Sequence, residues 1–392
     1  MSLKVIWNRA LIIIDALIYH FFMSHIEDKE KEVLIVFQQI FGDAILLQKT
    51  LVEYLKLYPA EEGYTVKILL RPNIHSFMLA TMPLPSNLIF EEVDFNRFLL
   101  DFKYYKETVQ KYRNTAGLLI VPGASMSADV FSTSNNAKRK IGAVKCKPVT
   151  KPFIMALFNR LAYTEKVIPE QGDMMIQSHR RLLNYLGDTD YKGQLSDLLI
   201  KERIIQGGYC VMCPSASVAL KCWPTERFAQ IIDYLYKKYG LVTHLCGGNG
   251  EEHFAEEIQF LVRNKTSVIS HIGNTSFSDW SAIIQHADLV IGNDSATLHI
   301  AAAARKKSIC IAGVYDKYLF FPYKVDFLAP GDNLPVTLIK DMPCEYCRTE
   351  GYFAGARNEE CKQAINEGKC ALCIDAISVK EVEEKIDELM VE

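Results

Sequence analysis

Residues 287–299 have the composition of an anion-binding turn between a strand and a helix. They read ADLVIGNDSATLH, so an apolar strand is followed by small residues and then by a helix predicted from Ser295. The first N–H groups of such a helix, and the positive end of its dipole, favour a diphosphate. Asp294 would repel phosphate, so we expect its carboxylate to bind sugar hydroxyls. The alternative is that Asp294 only caps the helix and that His299 lies on the surface.

A second loop, residues 214–228, follows another apolar strand and reads PSASVALKCWPTERF. Its small residues, Ser215 among them, would expose backbone donors at the end of the strand. Lys221 would project a positive charge towards a phosphate, and the alternative is an ordinary solvated lysine. Thr225 is predicted as the N-cap of the helix that follows.

A third loop, Ile-Phe-Gly-Asp at residues 40–43, ends the first predicted strand. A carboxylate at Asp43 could accept a proton from the hydroxyl of an acceptor molecule. The alternative role is to cap the helix predicted from Ala44, and the two roles can coexist.

Five of the 11 cysteines lie in one section, residues 344–373. Two C-x2-C pairs, Cys344 with Cys347 and Cys370 with Cys373, have the spacing of a structural zinc ribbon, in which each pair supplies two ligands. Cys361 is an additional thiol, and five free thiols are the alternative interpretation.

Short apolar runs alternating with amphipathic segments must position these loops. Strands are predicted at 33–37, 65–70, 88–90, 117–121, 209–213, 241–246, 268–271, 288–291 and 308–312. Runs that are apolar on both faces are typical of parallel sheets, and their alternation with helices predicts doubly wound α/β domains. Residues 151–200 are predicted to be mostly helical, and a helix over 278–285 is predicted to have Ser278 as its N-cap.

The predicted organisation is two such domains after an N-terminal segment. Residues 1–32 form an apolar helix and a linker, 33–200 an acceptor domain and 201–392 a donor domain. Open α/β sheets bind ligands at the carboxyl ends of their strands, so both domains would contribute to one cleft.

The bulk composition gives information about the partner and the compartment of the protein. The formal net charge of -3 does not favour nucleic acid as a partner. An odd number of cysteines and the lack of a convincing secretory signal indicate a reducing, cytoplasmic compartment.

Residues 5–23 are almost wholly apolar. The exceptions, Asn8, Arg9, Asp15 and His20, would form one narrow polar stripe on a helix, which suits a helix lying in a membrane interface. A helix packed on the protein's own surface and a membrane-spanning helix are the alternatives. A charge near the middle counts against spanning.

Four blocks together resemble glycosyltransferase family 9, the bacterial lipopolysaccharide heptosyltransferases and their relatives. They are residues 33–43, a basic-Ile-Gly turn at 137–142, residues 214–228 with 246–252, and residues 287–299. The resemblance implies a GT-B fold, in which two Rossmann-like domains face each other across a cleft. It also implies inverting, metal-independent transfer of a sugar from a nucleotide sugar, with any zinc purely structural.

The resemblance also implies roles for individual residues. Asp43 matches the general base, and Lys221 matches the lysine that neutralises the phosphates of the leaving nucleotide. Glu251 or Glu252 falls where family members hold the ribose. The expected donor-binding residues are Ser215, Glu251, Glu252, Asp294, Ser295, Ala296 and His299.

Two departures from the family pattern keep alternatives open. Gln39 and Ile40 stand where two small hydroxyl residues are common, and Ala296 stands where glycine is usual. The expected donor is an ADP-sugar and the expected acceptor a lipid-anchored glycan at the inner face of the cytoplasmic membrane, without nucleic acid. A different donor for a capsule or protein glycan, or a degenerate nucleotide-binding scaffold, are the alternatives.

Overall fold

A computed structural model describes residues 3–22, 29–144, 153–170, 172–324, 332–344 and 359–391. The chain divides into two compact units. The first comprises Met1–Leu79 with Pro83–Gly193, and the second comprises Ala80–Met82 with Gln194–Glu392.

The first unit contains a parallel six-stranded sheet. Its strands are β1 (Glu32–Val36), β2 (Thr65–Leu70), β3 (Leu88–Glu92), β4 (Leu118–Val121), β5 (Arg139–Ala143) and β6 (Glu165–Val167). They lie in the order β3-β2-β1-β4-β5-β6, and all their pairings are parallel. The direction of winding reverses between β1 and β4, so the loops after these two strands meet at the position where open α/β sheets bind ligands.

Helices cover this sheet. They are α1 (Leu3–Phe22), α2 (Phe41–Leu57), α3 (Pro72–Thr81), α4 (Phe95–Phe98), α5 (Phe102–Tyr112), α6 (Met126–Thr133), α7 (Phe153–Leu161) and α8 (Met175–Gly187). One core cluster joins β1 and β4 to α5 and α6 through fully buried side chains such as Leu34, Leu119, Tyr105 and Phe131.

The second unit repeats the same topology. Its strands are β7 (Tyr209–Cys213), β8 (Val242–Leu245), β9 (Val268–Ser270), β10 (Leu289–Asn293), β11 (Ser308–Ile311) and β12 (Val336–Leu338). The order β12-β11-β10-β7-β8-β9 is the same Rossmann order read from the other edge. The switch point lies between β7 and β10.

The helices of the second unit are α9 (Thr225–Tyr239), α10 (Glu252–Leu261), α11 (Phe277–Gln285), α12 (Ala296–Ala303), α13 (Glu359–Asn366), α14 (Leu372–Asp375) and α15 (Val379–Val391). The core between this sheet and its helices includes Trp223 and Phe228, whose rings meet edge to face.

The structure corrects the prediction for two segments of the first unit. The turn predicted at 137–142 is wrong, because Arg139–Ala143 forms β5. The mostly helical prediction for 151–200 missed β6. This edge strand has three residues, two of them charged, so it lacks the apolar run that identified the other strands.

Two predicted helix caps are also wrong. Thr225 is the first helical residue of α9, and Pro224 occupies the N-cap position. Ser276, and not Ser278, caps α11, since its Oγ accepts a hydrogen bond from the backbone N–H of Asp279 at 3.1 Å. Two serines two residues apart give the same sequence signal, and only the backbone geometry selects one.

Helix α1 packs on the first unit through its polar side. Asn8 Nδ2 donates to the carbonyl of Leu100 at 2.8 Å, and Asp15 forms an ion pair with Lys106 at 3.0 Å. Ile12 is buried between these contacts. The opposite side exposes large apolar residues, namely Leu3, Trp7, Ile14, Ile18 and Phe21. By length and composition alone, α1 could also cross a membrane.

Candidate active site

A buried ion pair lies at the switch point of the second sheet. Lys221 Nζ donates to Asp294 Oδ2 at 2.8 Å, and the two side chains are only 4% and 8% exposed. The ammonium also lies 5.2 Å from the ring centre of Tyr315 and 5.8 Å from that of Phe320. The alternative of a solvated lysine is therefore wrong. The residue predicted to bind phosphate, Lys221, is in direct contact with the residue predicted to bind the sugar, Asp294.

Asn293, the last residue of β10, holds the loop that carries Lys221. Its Oδ1 accepts from the backbone N–H of Trp223 at 3.0 Å, and its Nδ2 donates to the carbonyl of Pro214 at 2.7 Å. One fully buried side-chain amide thus fixes both ends of this loop. Asn293 is not among the residues predicted for the site, although a polar residue at the end of an apolar strand beside Asp294 is a signal for it.

The two candidate ribose-binding glutamates have different surroundings. Glu251 Oε2 accepts from Ser215 Oγ at 2.7 Å and from the backbone N–H of Gly248 at 2.6 Å. Glu252 accepts from the N–H of Gly250 at 3.1 Å, and hydrogen bonds from its own backbone N–H and from Gly250 lower its pKa. Only Glu251 is therefore joined to Ser215 at the end of β7.

His299 is buried, so the alternative that it lies on the surface is wrong. Its Nδ1 lies 2.7 Å from the hydroxyl of Tyr323, and its ring stacks on Phe321 with centroids 4.5 Å apart. Burial lowers its pKa to about 4, the nearby carboxylate of Asp294 opposes this shift, and Lys221 adds to it. His299 is thus a neutral hydrogen-bonding group near the ion pair at neutral pH.

Ser295 occupies the N-cap position of α12, and Ala296 is the first helical residue. The Ser295 hydroxyl makes no capping bond and instead lies 3.8 Å from the sulfur of Cys213. The start of α12 and the end of β7 therefore meet beside Asp294. The predicted strand-turn-helix order is present as β10, its turn and α12, and the binding of an anion there stays a prediction.

Asp43 lies in the first turn of α2, just after β1. Its side chain is buried, and Oδ2 accepts from the backbone N–H of Ile40 at 3.4 Å. The prediction that Asp43 caps a helix starting at Ala44 is therefore wrong, because α2 starts at Phe41 and Ile40 occupies the N-cap position. Asp43 is instead the third helical residue, and its carboxylate accepts from the backbone N–H of that N-cap residue. The carboxylate lies at the carboxyl end of the first sheet, which is where open α/β sheets bind their ligands.

The cysteine-rich section is described only in part, since Cys347 lies outside the described residues. Cys373 is buried in the core of the second unit, and Cys344 and Cys370 pack against the same core. Within the described ranges, no three potential ligands are grouped closely enough to hold a metal, and the nine described cysteines form no disulfide. The zinc site therefore stays a prediction.

Residues 155–329 match the model of a protein family described as glycosyltransferase family 9 (heptosyltransferase). Over this range the chain is similar to that family. The matched range contains the Lys221–Asp294 pair, Glu251 and His299, whereas Asp43 lies before it.

The curated relatives that the chain matches are bacterial heptosyltransferases. It is 28% identical over 172 residues to lipopolysaccharide heptosyltransferase 3 of Escherichia coli (strain K12), covering 40% of this chain and 48% of the relative. It is 27% identical over 172 residues to lipooligosaccharide heptosyltransferase 2 of Haemophilus influenzae, covering 41% and 47%. The chain therefore spans about half the length of the curated relatives it matches.

Solved structures confirm the predicted α/β GT-B fold, and the predicted N-terminal apolar helix is present in this chain as α1. A family 9 glycosyltransferase from Veillonella parvula gives a TM-score of 0.67 at 17% identity, covering 94% of this chain and 99% of that one. Escherichia coli ADP-heptose lps heptosyltransferase II gives 0.63 at 14% identity, covering 92% and 98%. The iron-containing dodecameric glycosyltransferase TibC from enterotoxigenic Escherichia coli gives 0.55 at 13%, covering 94% and 78%.

Proposed function

We propose that this protein transfers a heptose or a related sugar from an ADP-sugar to a lipopolysaccharide core or similar lipid-anchored glycan. The observation that carries the proposal is the buried contact between Lys221 and Asp294 beside the start of α12. This arrangement provides a cation and a helix N-terminus for a diphosphate, with a carboxylate for the sugar.

The proposed chemistry is an inverting displacement. The acceptor hydroxyl attacks the anomeric carbon, and its proton passes to the carboxylate of Asp43. The bond between that carbon and the diphosphate oxygen breaks, and its electron pair leaves with the nucleoside diphosphate. Lys221 neutralises the charge that develops there, so the transfer needs no divalent cation.

Donor binding would rearrange the ion pair. Lys221 forms an ion pair with Asp294 at 2.8 Å. The diphosphate would compete for the ammonium and leave the Asp294 carboxylate to accept hydrogen bonds from sugar hydroxyls. Glu251, fixed by Ser215, would accept the ribose hydroxyls.

Thermal shifts with nucleoside diphosphates and nucleotide sugars test the donor. A ligand at 100 times its dissociation constant should stabilise the folded state by about 2.7 kcal/mol. We expect ADP and ADP-heptose to shift the melting temperature. A shift with uridine, guanosine or cytidine compounds alone would favour the alternative donor class for a capsule or protein glycan. A shift without any transfer activity would favour the degenerate nucleotide-binding scaffold, and no shift with any compound would contradict the proposed donor site.

Matched glutamate variants sharpen this test. Glu251→Gln should weaken ADP binding, because it replaces the carboxylate that is fixed by Ser215 and is proposed to accept hydrogen bonds from the ribose hydroxyls. Glu252→Gln is the adjacent comparison and should have a smaller effect. A larger loss of ADP affinity in Glu252→Gln than in Glu251→Gln would indicate that Glu252 binds the ribose.

The catalytic part of the proposal is tested at Asp43. Asp43→Asn should abolish transfer from ADP-heptose to core-truncated lipopolysaccharide while donor binding persists, because only the proton acceptor is lost. Near-normal turnover in this variant would refute the base assignment.

We further propose that the enzyme works at the inner face of the cytoplasmic membrane, where a lipid-anchored acceptor would be found. The exposed apolar side of α1 supports this location. A structural zinc bound by Cys344, Cys347, Cys370 and Cys373 is a separate proposal. Metal analysis of the purified protein tests it, with a Cys370→Ser/Cys373→Ser variant as the comparison.

A further inference from the structure

Two glutamines connect the loop before Asp43 to the loop after β4. Gln38 Nε2 donates to Ser125 Oγ, and Gln38 Oε1 accepts from Ser127 Oγ. Gln39 Nε2 donates to the carbonyl of Gly123 at 2.9 Å, while its Oε1 accepts from the backbone N–H of Gln38 at 3.1 Å. Both polar ends of each side chain therefore have hydrogen-bond partners.

These contacts lie at the switch point of the first sheet. β1 precedes the glutamines and β4 precedes Gly123, and these two strands are direct neighbours in the sheet. Ser125 is the N-cap of α6, and its Oγ accepts from the N–H of Ala128 at 3.4 Å. The glutamines thus attach the start of α2 to the start of α6, across the place where an open sheet receives its ligand.

The connection continues directly to Asp43. Ile40 follows Gln39, and its backbone N–H donates to Asp43 Oδ2 at 3.4 Å. Side chains on one side and the carboxylate on the other therefore hold a short loop. A shift of this loop would move the carboxylate with it.

The lack of a side chain at Gly123 leaves room for the side chain of Gln39. A Cβ added at this residue would lie 1.9 Å from Gln39 Nε2. The φ of Gly123 lies outside the left-handed region, so its backbone tolerates alanine. Gly123→Ala would therefore displace the Gln39 side chain without straining the main chain.

We propose that Gln38 and Gln39 are positioning residues for Asp43, holding its carboxylate at the acceptor side of the reaction. This inference rests on the proposed function. It also gives a physical role to the position where small hydroxyl residues are common in the resembling family.

Three variants test the proposal, with ADP-heptose as donor and core-truncated lipopolysaccharide as acceptor. Gln39→Ala and Gly123→Ala should each lower kcat about 10- to 100-fold, because small misplacements of a reacting group have effects of this size. The KM for the donor and the Kd for ADP should stay within about twofold, since only the acceptor side is altered. The double variant Gly123→Ala/Gln39→Ala should be no worse than either single variant, because both remove the same connection.

Amide hydrogen exchange provides a readout that needs no turnover. In Gln39→Ala, exchange should rise in residues 38–43 and stay unchanged in residues 292–300. The matched control is Asn87→Ala, because the Asn87 amide also donates to a backbone carbonyl, that of Tyr58, at 3.0 Å in the same unit. Asn87 precedes β3, and this variant should keep its kcat.

The contrary outcomes are distinct. Recovery of normal kcat in the double variant would show that Gln39 only fills space, and an equal loss in Asn87→Ala would show a general loss of stability. Either result overturns the inference. An unaffected Asp43→Asn would overturn the proposed base together with this inference. A strong loss in Asp43→Asn with normal Gln39→Ala would overturn the inference alone.

Discussion

The ammonium of Lys221 and the carboxylate of Asp294 are 2.8 Å apart in a site where both side chains are more than nine-tenths buried. Removing one partner of a buried pair leaves an uncompensated charge and costs about 3–5 kcal/mol. We therefore expect Asp294→Ala to lower the free energy of unfolding by about that amount, measured by urea denaturation.

The double variant separates stability from function in this pair. Lys221→Met/Asp294→Leu removes both charges, so it should regain much of the stability that Asp294→Ala loses. It should still fail to bind ADP, because the cation is gone. Equal stability of the single and double variants would contradict the view that the charges depend on each other.

The pH dependence of stability should contain a contribution from His299. Burial lowers its pKa in the folded state to about 4, below the ordinary 6.5. Between these values the unfolded chain binds a proton and the folded chain does not, so stability falls as the pH drops from 6.5 towards 4. The slope for one such group is at most about 1.4 kcal/mol per pH unit.

Urea denaturation between pH 4.5 and 7.5 measures this slope, and His299→Gln should reduce it. Part of the slope should persist, because burial also lowers the pKa of His179 and of His244 to about 4. An unchanged slope in His299→Gln would mean that His299 takes up its proton equally in both states.

Asn293 should support both stability and donor binding. Asn293→Ala leaves the N–H of Trp223 and the carbonyl of Pro214 without their partner, which should cost at least about 2 kcal/mol of unfolding free energy. ADP affinity should fall as well, because this loop carries Ser215 and Lys221. Calorimetric titration with ADP measures the affinity.

Asn264→Ala is a suitable comparison for Asn293→Ala. The Asn264 side chain accepts from the N–H of Thr266 before β9, so its loss should cost about 1 kcal/mol. It should leave ADP affinity unchanged. A comparable loss of ADP affinity in both variants would show that affinity simply follows stability.

The sequence predicted the parts of the fold that depend on local pattern. The apolar runs of β1, β7 and β10 identified the strands, and the loops after them contained the candidate residues. The pairing of Lys221 with Asp294 could not be predicted from either loop, because 73 residues separate them. It depends on β7 and β10 being neighbours, which is a property of the strand order.

Long-range contacts also explain why other features of the structure were not predicted from the sequence. The bonds of Asn293 and the cross-loop bonds of Gln38 join segments that are far apart in the sequence, so the local sequence does not identify their partners. For α1, composition left three interpretations open, and the difference lay in which side faces the protein. Asn8 and Asp15 contact the first unit, so the polar side of the helix faces the protein. Helical periodicity identifies this polar side but does not show whether it faces the protein or the solvent.

The outward side of α1 leads to a prediction about membrane binding. Leu3, Trp7, Ile14, Ile18 and Phe21 recur at helical spacing, and each is at least 42% exposed. A helix of 20 residues is about 30 Å long, so this stripe is long enough to lie along a leaflet while the polar side keeps its protein contacts. Trp7→Ser/Ile14→Ser/Ile18→Ser should lose sedimentation with anionic phospholipid vesicles and keep the thermal shift with ADP.

Phe260→Ser is the matched control for that variant, because Phe260 is also strongly exposed but lies on α10 of the second unit. It should still sediment with vesicles. Alkaline carbonate should release the wild-type protein from membranes, since spanning would require Asn8 and Asp15 to leave their partners and enter hydrocarbon. Retention after carbonate would indicate a spanning helix, and unchanged sedimentation of the triple variant would place the membrane contact elsewhere on the protein.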